Sequence, residues 1–484
     1  MERGCCIGID QGSSTTKAVV VGRDGRILFR AKRELTRPFR EGPRVEQDPE
    51  VILRSVREVL DEAVLQERNE GIPVLGVGFS CQRSSCLAWD EGSGEPLSPV
   101  LSWRDTRGSS FVAGLAEHKD HVISVTGLPL TPYYSASKFR WLSENIPSSR
   151  RKTAVFGALS SFLAQRLTGS PQAVIDHTNA ARTQLMDIGT LAWAPDLIEL
   201  FGLEDIRLPE IAPTLGAYGK MQTSAGPVPL LACIGDQQAA LLGLGVTGEG
   251  ECCINYGTGA FLLVSTGMIL KRVPGLLSSI HYSSNGEQRY LLEGSVNAAG
   301  DALEWLRSRF GLFGGFDEVD DLCWKATENV VAFLGLNGTG APHWETDIAS
   351  AIYGLSAGSG PADIVRATVE GIVFFVQDIA DAMKEASLAP TTYIASGGLS
   401  SISYLIQAQA DLLGRDIVVT PLSDTSALGA AFLAGLGQGT WTPADLGRTA
   451  GRGEPVSPRT NTGLLRRRRR WKALHEAVRA LDRL

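Results

Sequence analysis

The chain has 484 residues, 43% of them hydrophobic and 20% charged, enough for two substantial domains that each bury an apolar core. A formal net charge of −7 argues against nucleic acid as the principal partner, and the apolar runs, such as 371–376, are too short to span a bilayer. The eight cysteines form no C-x-x-C and the six histidines no H-E-x-x-H, which argues against a disulfide framework and a zinc site. No positively charged leader precedes an apolar core, because Asp10 interrupts the N-terminal run, so a cytoplasmic location is expected.

Cys6 to Val21 reads as strand, tight turn, strand. An apolar run ends at Asp10, then Gly12, Ser13, Ser14, Thr15 and Thr16 precede Lys17 and a second β-branched run. Backbone N–H groups and hydroxyls in such a turn cradle phosphate oxygens, Lys17 adds charge, and Asp10 is where a magnesium-bound water shell would be held. It is not a Walker loop, since no G-x-x-x-x-G-K-[ST] occurs. Alternation at Ile27, Phe29 and Ala31 predicts a third strand, Asp48-Pro49 opens a helix to about Asn69, and 74–79 reads as a doubly covered strand. From about 90 to 225, aromatics and helical segments, including 160–167, look like insertions around a core sheet, where substrate contacts commonly lie.

Pro229 to Gly235 is a strand that delivers Asp236 to the start of an Ala/Leu-rich helix. After a glycine-dense joint at 243–250, Ile254 to Val264 repeats the pattern of strand, Gly257-Thr258-Gly259 turn, strand. Two such hairpins, one opening each half, suggest related domains facing one nucleotide. Helices are predicted over 295–310 and 361–385, and Tyr393 to Ser396 runs through Gly397-Gly398 into a helical stretch over 402–413. The tail 464–484 reads as a basic amphipathic helix, its Arg466 to Arg470 run as a solvated helix start rather than a nucleic-acid patch.

Together with Gly127-Leu128-Pro129, Pro132-Tyr133, Thr178 to Thr183 and Ser426 to Ala431, these segments resemble the FGGY family of carbohydrate kinases, most closely its glycerol kinase branch. The resemblance runs from Ile7 to about Trp471. It implies an α/β fold of two actin-like (ribonuclease H-like) domains with an interdomain catalytic cleft, divided at 1–245 and 246–484. It further implies ATP and Mg2+ as cofactors, a small polyol or sugar acceptor as partner, and a homodimer or homotetramer as the assembly to be tested.

Residue by residue, Gly235-Asp236-Gln237-Gln238 matches the segment that carries the family's catalytic base, with Gln237 as a neighbouring substrate ligand. From the residues alone, an N-cap aspartate is the competing explanation for Asp236. Gly12, Ser13, Ser14, Thr15 and Lys17 match the first phosphate loop, where a lysine stands in a position that often holds arginine. Thr258 and Gly259 match the second; Gly300, Gly397 and Gly398 match the adenosine side. Glu304 and Ile402 replace the usual glutamine and asparagine there, which puts the hydrogen bonds to the base in doubt. On the acceptor side, Gln82, Arg83, Trp103, Tyr133 and Phe261 match the positions that hold glycerol, guanidinium and aromatic faces being good polyol chemistry. Ser84 stands where glycerol kinases carry a glutamate, so a larger polyol or an open-chain ketose is also open.

Two other classes compete. Gly243-Leu244-Gly245-Val246-Thr247-Gly248 is formally a dinucleotide-binding G-x-G-x-x-G, but a helix rather than a strand precedes it. A non-catalytic actin-like nucleotide switch would not need an acid beside Arg83, Trp103 and Tyr133.

Overall fold

The computed structural model describes residues 4–484 except 337, 346 and 450–452, and for 447–449 the backbone only. Two mixed sheets organise it. The first has six strands in the order Leu215–Met221, Val228–Gly235, Val74–Cys81, Cys5–Gln11, Thr15–Gly22, Ile27–Glu34. The second has seven, in the order Leu277–Ser284, Glu287–Val296, Ala260–Gly267, Glu251–Tyr256, Thr392–Ser396, Ile417–Val419, Pro455–Val456. Each is built the same way. The hairpin is extended on its second strand by antiparallel strands, one in the first sheet and two in the second, two parallel strands continue from the hairpin's first strand, and an antiparallel strand closes the edge. This is the two-domain actin-like fold, and the repeated topology is the physical content of the two similar hairpins seen in the sequence.

Local signals explain many of the boundaries. Asp48 caps the helix Pro49–Asn69 by accepting from the N–H groups of Glu50 and Val51, with proline in the first turn as expected. The insertions between the first sheet's strands form their own five-stranded sheet, which includes Cys86–Asp90 and Ala154–Ala158, over a separate apolar cluster around Phe139, Phe156 and Phe201. The helix Thr425–Gly437 returns from the second half of the chain to lie on the first sheet and against Asp236–Gly243. It approaches so closely that a Cβ at Gly8 or Gly78 would collide with the backbone oxygens of Ala427 and Ala430. Glycine at both places is a packing requirement.

Two expectations are corrected. The predicted helix over 295–310 begins later, because Ser295 and Val296 still pair with Phe261 and Ala260 in the antiparallel ladder; the helix proper is Gly300–Trp305, continued by a wide turn over Leu306–Phe310. The arginine run in the helix Thr462–Leu481 is not simply solvated. Arg467 is buried and forks onto the Glu370 carboxylate through Nε and Nη2, both at 2.6 Å, while Arg468 pairs with Asp378 and Asp381. No helix among the described residues is long and apolar enough to cross a membrane. The eight cysteines are all buried and unpaired.

Candidate active site

Asp236 is the first residue of its helix, capped by Gly235, so the N-cap explanation does not hold; its Oδ1 accepts from the Gln237 N–H at 2.8 Å. Arg83 enters from the loop after Val74–Cys81. Its Nε lies 3.3 Å from Asp236 Oδ1, and its Nη1 donates to Gln238 Oε1 at 3.3 Å and Glu293 Oε2 at 3.2 Å. Gly235 makes room for this reach, since a Cβ there would sit 2.8 Å from Arg83 Cδ. Glu293 comes from the second sheet, in Glu287–Val296, and also pairs with Arg182 from the first half. Two guanidiniums and two carboxylates, contributed by both halves, thus meet at one point, where Glu293, Arg182 and Arg83 are enclosed and Asp236 is 29% exposed.

The charges decide how these groups behave. Burial is the largest influence on Asp236 and pushes its carboxyl up, with Arg83 opposing. Burial would also raise Glu293, but Arg182 and then Arg83 outweigh it and hold the carboxyl at about 2. Asp10 is pushed up to about 7, first by burial and next by the charge of Asp236, while Ser80 Oγ donates to it at 3.0 Å. Two neighbouring carboxylates that both resist ionisation suit a proton acceptor beside a cation.

Gln82 is used structurally. Its amide donates to Gln11 Oε1 at 3.1 Å and accepts from the hydroxyls of Ser13 and Ser85, both at 3.0 Å. Ser13 in turn accepts from Trp103 Nε1 at 3.1 Å, which ties the aromatic to the first hairpin turn. Trp103 and Tyr133 are 37% and 51% exposed, and the Arg104 guanidinium stacks 4.7 Å above the Trp103 ring. Phe261 is half-buried in its strand, opposite Asn255. Ser84 has a φ of 63° and is buried; its Oγ donates to the Arg182 carbonyl at 3.4 Å, so it offers no carboxylate where a glutamate would stand.

In the first hairpin, the Gly12 N–H bonds the Thr15 carbonyl, Ser14 is exposed, and Lys17 pairs with Asp424 at 2.8 Å. In the second, the Thr258 carbonyl accepts from the N–H groups of Ala299 and Asp301, and Gly300 N–H bonds Gly257. Backbone packing explains two of these glycines: a Cβ at Gly259 would lie 2.6 Å from the Val296 oxygen, and one at Gly300 would lie 2.7 Å from the Gly257 oxygen. Gly397, at φ 91°, passes against Tyr256, whereas Gly398 faces open space. Ile402 is buried, and Glu304 is engaged by Arg307 at 2.8 and 2.9 Å. Ile402 has no polar atom to offer a base, and Glu304 is 44% exposed in its pair with Arg307.

Glu293, Arg182, Lys138 and Asp424 were not singled out in the sequence as site residues. The signal for Glu293 was a lone acid inside the stretch Tyr290–Val296; Arg182 and Asp424 have partners far away in the chain, and Lys138 has one near, Tyr133, and one far, Ser84. Gly354-Leu355-Ser356-Ala357-Gly358 has the spacing of a serine-hydrolase elbow. It lies in an exposed loop, where the Ser356 hydroxyl contacts Ser359 and Glu328. Among the described residues, no group of three or more His, Cys, Asp or Glu side chains gathers into a metal cage.

Comparison with known proteins gives the family and the fold. Residues 5–243 match the family model for the N-terminal domain of the FGGY family of carbohydrate kinases, and 252–437 match that for its C-terminal domain. A glycerol kinase from Methylorubrum extorquens is 37% identical over 450 residues, 90% of this chain and 89% of that one. One from Limosilactobacillus reuteri is 32% identical over 457 residues, 92% of this chain and 91% of that one. The crystal structure of Plasmodium falciparum glycerol kinase with ADP superposes with a TM-score of 0.91 at 28% identity, covering 99% of this chain and 98% of that one. A xylulose kinase from Rhodospirillum rubrum shares the fold, with a TM-score of 0.89 at 22% identity, over 99% of this chain and 100% of that one. The chain belongs to the FGGY family of carbohydrate kinases and is an ATP-dependent kinase of a polyol or sugar hydroxyl.

Proposed function

We propose that the enzyme transfers the γ-phosphoryl group of ATP to a hydroxyl of glycerol or a closely related small polyol, with Asp236 as general base. The observation that carries this reading is Arg83, held between Asp236 and Glu293 at a point where both halves of the chain meet. The acceptor hydroxyl gives its proton to the Asp236 carboxylate as its oxygen bonds the γ-phosphorus. The bridging bond to ADP breaks, and its electron pair leaves on the ADP oxygen. Arg83 donates to the acceptor's adjacent hydroxyls and keeps Asp236 oriented. Tyr133, Trp103 and Phe261 cover its C–H edges, and Gln237 adds an amide at the helix start.

Gly12 to Thr15 with Lys17, and Thr258-Gly259, are the two phosphate turns. Gly300, Gly397 and Gly398 let backbone approach the adenosine, whose base is then recognised by shape rather than by Glu304 or Ile402. Asp10 suits Mg2+, because its buried carboxylate beside Asp236 is relieved by a cation, and magnesium keeps most of its own waters. When bound, that ion neutralises charge building on the phosphates. The domain division expected at 245/246 falls in the joint between the two family-model matches, although the helix Thr425–Gly437 crosses back. A requirement for ATP accords with the expected cytoplasmic location.

Ser84 favours a second reading. Its short side chain is turned towards the Arg182 carbonyl, which leaves room for a larger polyol or an open-chain ketose such as a pentulose. A panel of glycerol, tetritols, pentitols, pentuloses and hexuloses in a coupled ADP-release assay separates the two. The highest kcat/KM on glycerol supports the first, and the highest on a pentulose supports the second. ATP hydrolysis with no phosphorylated acceptor would overturn both in favour of a nucleotide switch.

A further inference from the structure

Lys138 lies on the helix Ser135–Asn145 with its side chain wholly enclosed, 0% exposed. An ammonium is expensive to bury, and an apolar residue of the same length would pack there without that cost. What the ammonium does is donate to two carbonyl oxygens, that of Tyr133 at 2.7 Å and that of Ser84 at 3.2 Å. The Ser135 hydroxyl donates to the same Ser84 carbonyl at 3.4 Å. Both carbonyls belong to walls of the acceptor site. Ser84 follows Arg83 directly and holds a left-handed φ of 63°, a conformation that persists in a residue with a Cβ only when its surroundings enforce it. Tyr133 is the half-exposed aromatic on the opposite segment.

We propose that Lys138 is a positioning residue for the acceptor, its ammonium fixing the Arg83-Ser84 turn at a set distance and orientation from Tyr133. The proposal rests on the acceptor site assigned above. It sets acceptor affinity without touching acceptor or nucleotide, because one cation joins two segments that share no backbone hydrogen-bond ladder.

The ammonium's environment supports a measurable consequence. Burial pulls Lys138 down to about 8; Cys86 and Asp105 oppose this, and Arg107 adds to it. Burial pushes the Cys86 thiol up to about 12, so it stays neutral over the working range, and Asp105 is held by Arg107 and the Val45 N–H. Lys138 therefore changes charge near pH 8, above Asp10 on the phosphate side, which does so near 7. Its neutral amine donates more weakly, since charge-assisted hydrogen bonds are about twice as strong as neutral ones.

The test is steady-state kinetics of the full chain with ATP and its best acceptor from pH 6.5 to 9.5, for wild type and Lys138→Met. In wild type the acceptor KM should rise several-fold through about pH 8 while the ATP KM stays flat. In Lys138→Met the acceptor KM should already be raised about 10-fold or more at pH 7, the loss expected for a hydrogen bond from a charged donor. It should then be independent of pH, with kcat and the ATP KM little changed. A wild-type acceptor KM in the variant, or a parallel rise in both KM values, overturns the proposal. If Lys138→Met does not fold, Lys138→Gln, a shorter neutral donor, takes its place, and a wild-type acceptor KM in that variant refutes the assignment. A wild-type enzyme that phosphorylates no acceptor refutes instead the reading of the site on which the proposal rests.

Discussion

Glu293→Gln removes one charge from a set of four, three of them enclosed and the fourth, Asp236, partly exposed. The Glu293 and Arg182 side chains are each 4% exposed and Arg83 is 12% exposed, so the guanidiniums left behind cannot turn to water. Removing one partner of a buried pair costs about 3–5 kcal/mol; the amide oxygen still accepts one hydrogen bond, which places this change near about 3. At about 2–4 °C per kcal/mol for a unit of about 150–250 residues, the size of each half, the transition of the half that holds Glu293 should fall by about 6–12 °C. The sign with pH follows from Glu293 being held low. Its contribution is fully present above the ordinary glutamate range and is lost as pH falls through about 2, so the variant's deficit should be constant from pH 6 to 8, begin to shrink below about 4.5 and be gone below about 2. A second effect is chemical. Glu293 raises Asp236 by its own charge and competes for Arg83, so its loss lets Arg83 pair more fully with Asp236. The acid limb of kcat/KM for the acceptor should then move to lower pH. Calorimetry and a pH–rate profile measure both. A melting point within about 1 °C of wild type together with an unmoved acid limb would refute the electrostatic account of this cluster.

Other perturbations separate the parts. Arg83→Lys should raise the KM of every polyol, because an ammonium cannot span Asp236, Glu293 and a hydroxyl at once, and initial rates at varied acceptor check it. Lys17→Ala should weaken ATP binding about 10-fold, the size of a charge-assisted contact, and leave acceptor KM alone; calorimetry with ATP reads this directly. Arg467→Ala leaves the fully buried Glu370 with the Tyr404 hydroxyl and with Arg366 at 3.9 Å, and should cost about 3 kcal/mol of stability, the low end for breaking a buried pair, while kinetics at low temperature stay unchanged, as thermal melts and rates would show. Ser84→Glu should shift preference towards glycerol over longer acceptors, seen as a ratio of kcat/KM values.

What the sequence made legible was local. The hairpins declare themselves through β-branched runs around hydroxyl and glycine turns, Asp48-Pro49 marks a helix start, and Asp236 stands where an apolar strand stops. What stayed hidden depends on chain segments far apart. Ser295 and Val296 look helical beside Ala298 and Leu303, yet their ladder partners Phe261 and Ala260 decide their conformation. The arginine run looks solvated until Glu370, 97 residues away, is placed beneath Arg467. Glu293 is visible as an acid in an apolar strand, but only the fold brings Arg182 and Arg83 to it. Lys138 lies five residues from Tyr133, and its second partner, Ser84, is 54 residues away.

The central claim is that Asp236 takes the acceptor's proton. Asp236→Asn keeps the shape and the Gln237 N–H contact but removes the basic oxygen, so kcat for acceptor phosphorylation should fall about 10²–10⁴-fold. ATP affinity by calorimetry should stay close to wild type, and the melting temperature should fall less than in Glu293→Gln, because the Asp236 side chain is 29% exposed and Arg83 keeps Glu293. Turnover within a few-fold of wild type in the purified variant would contradict the account.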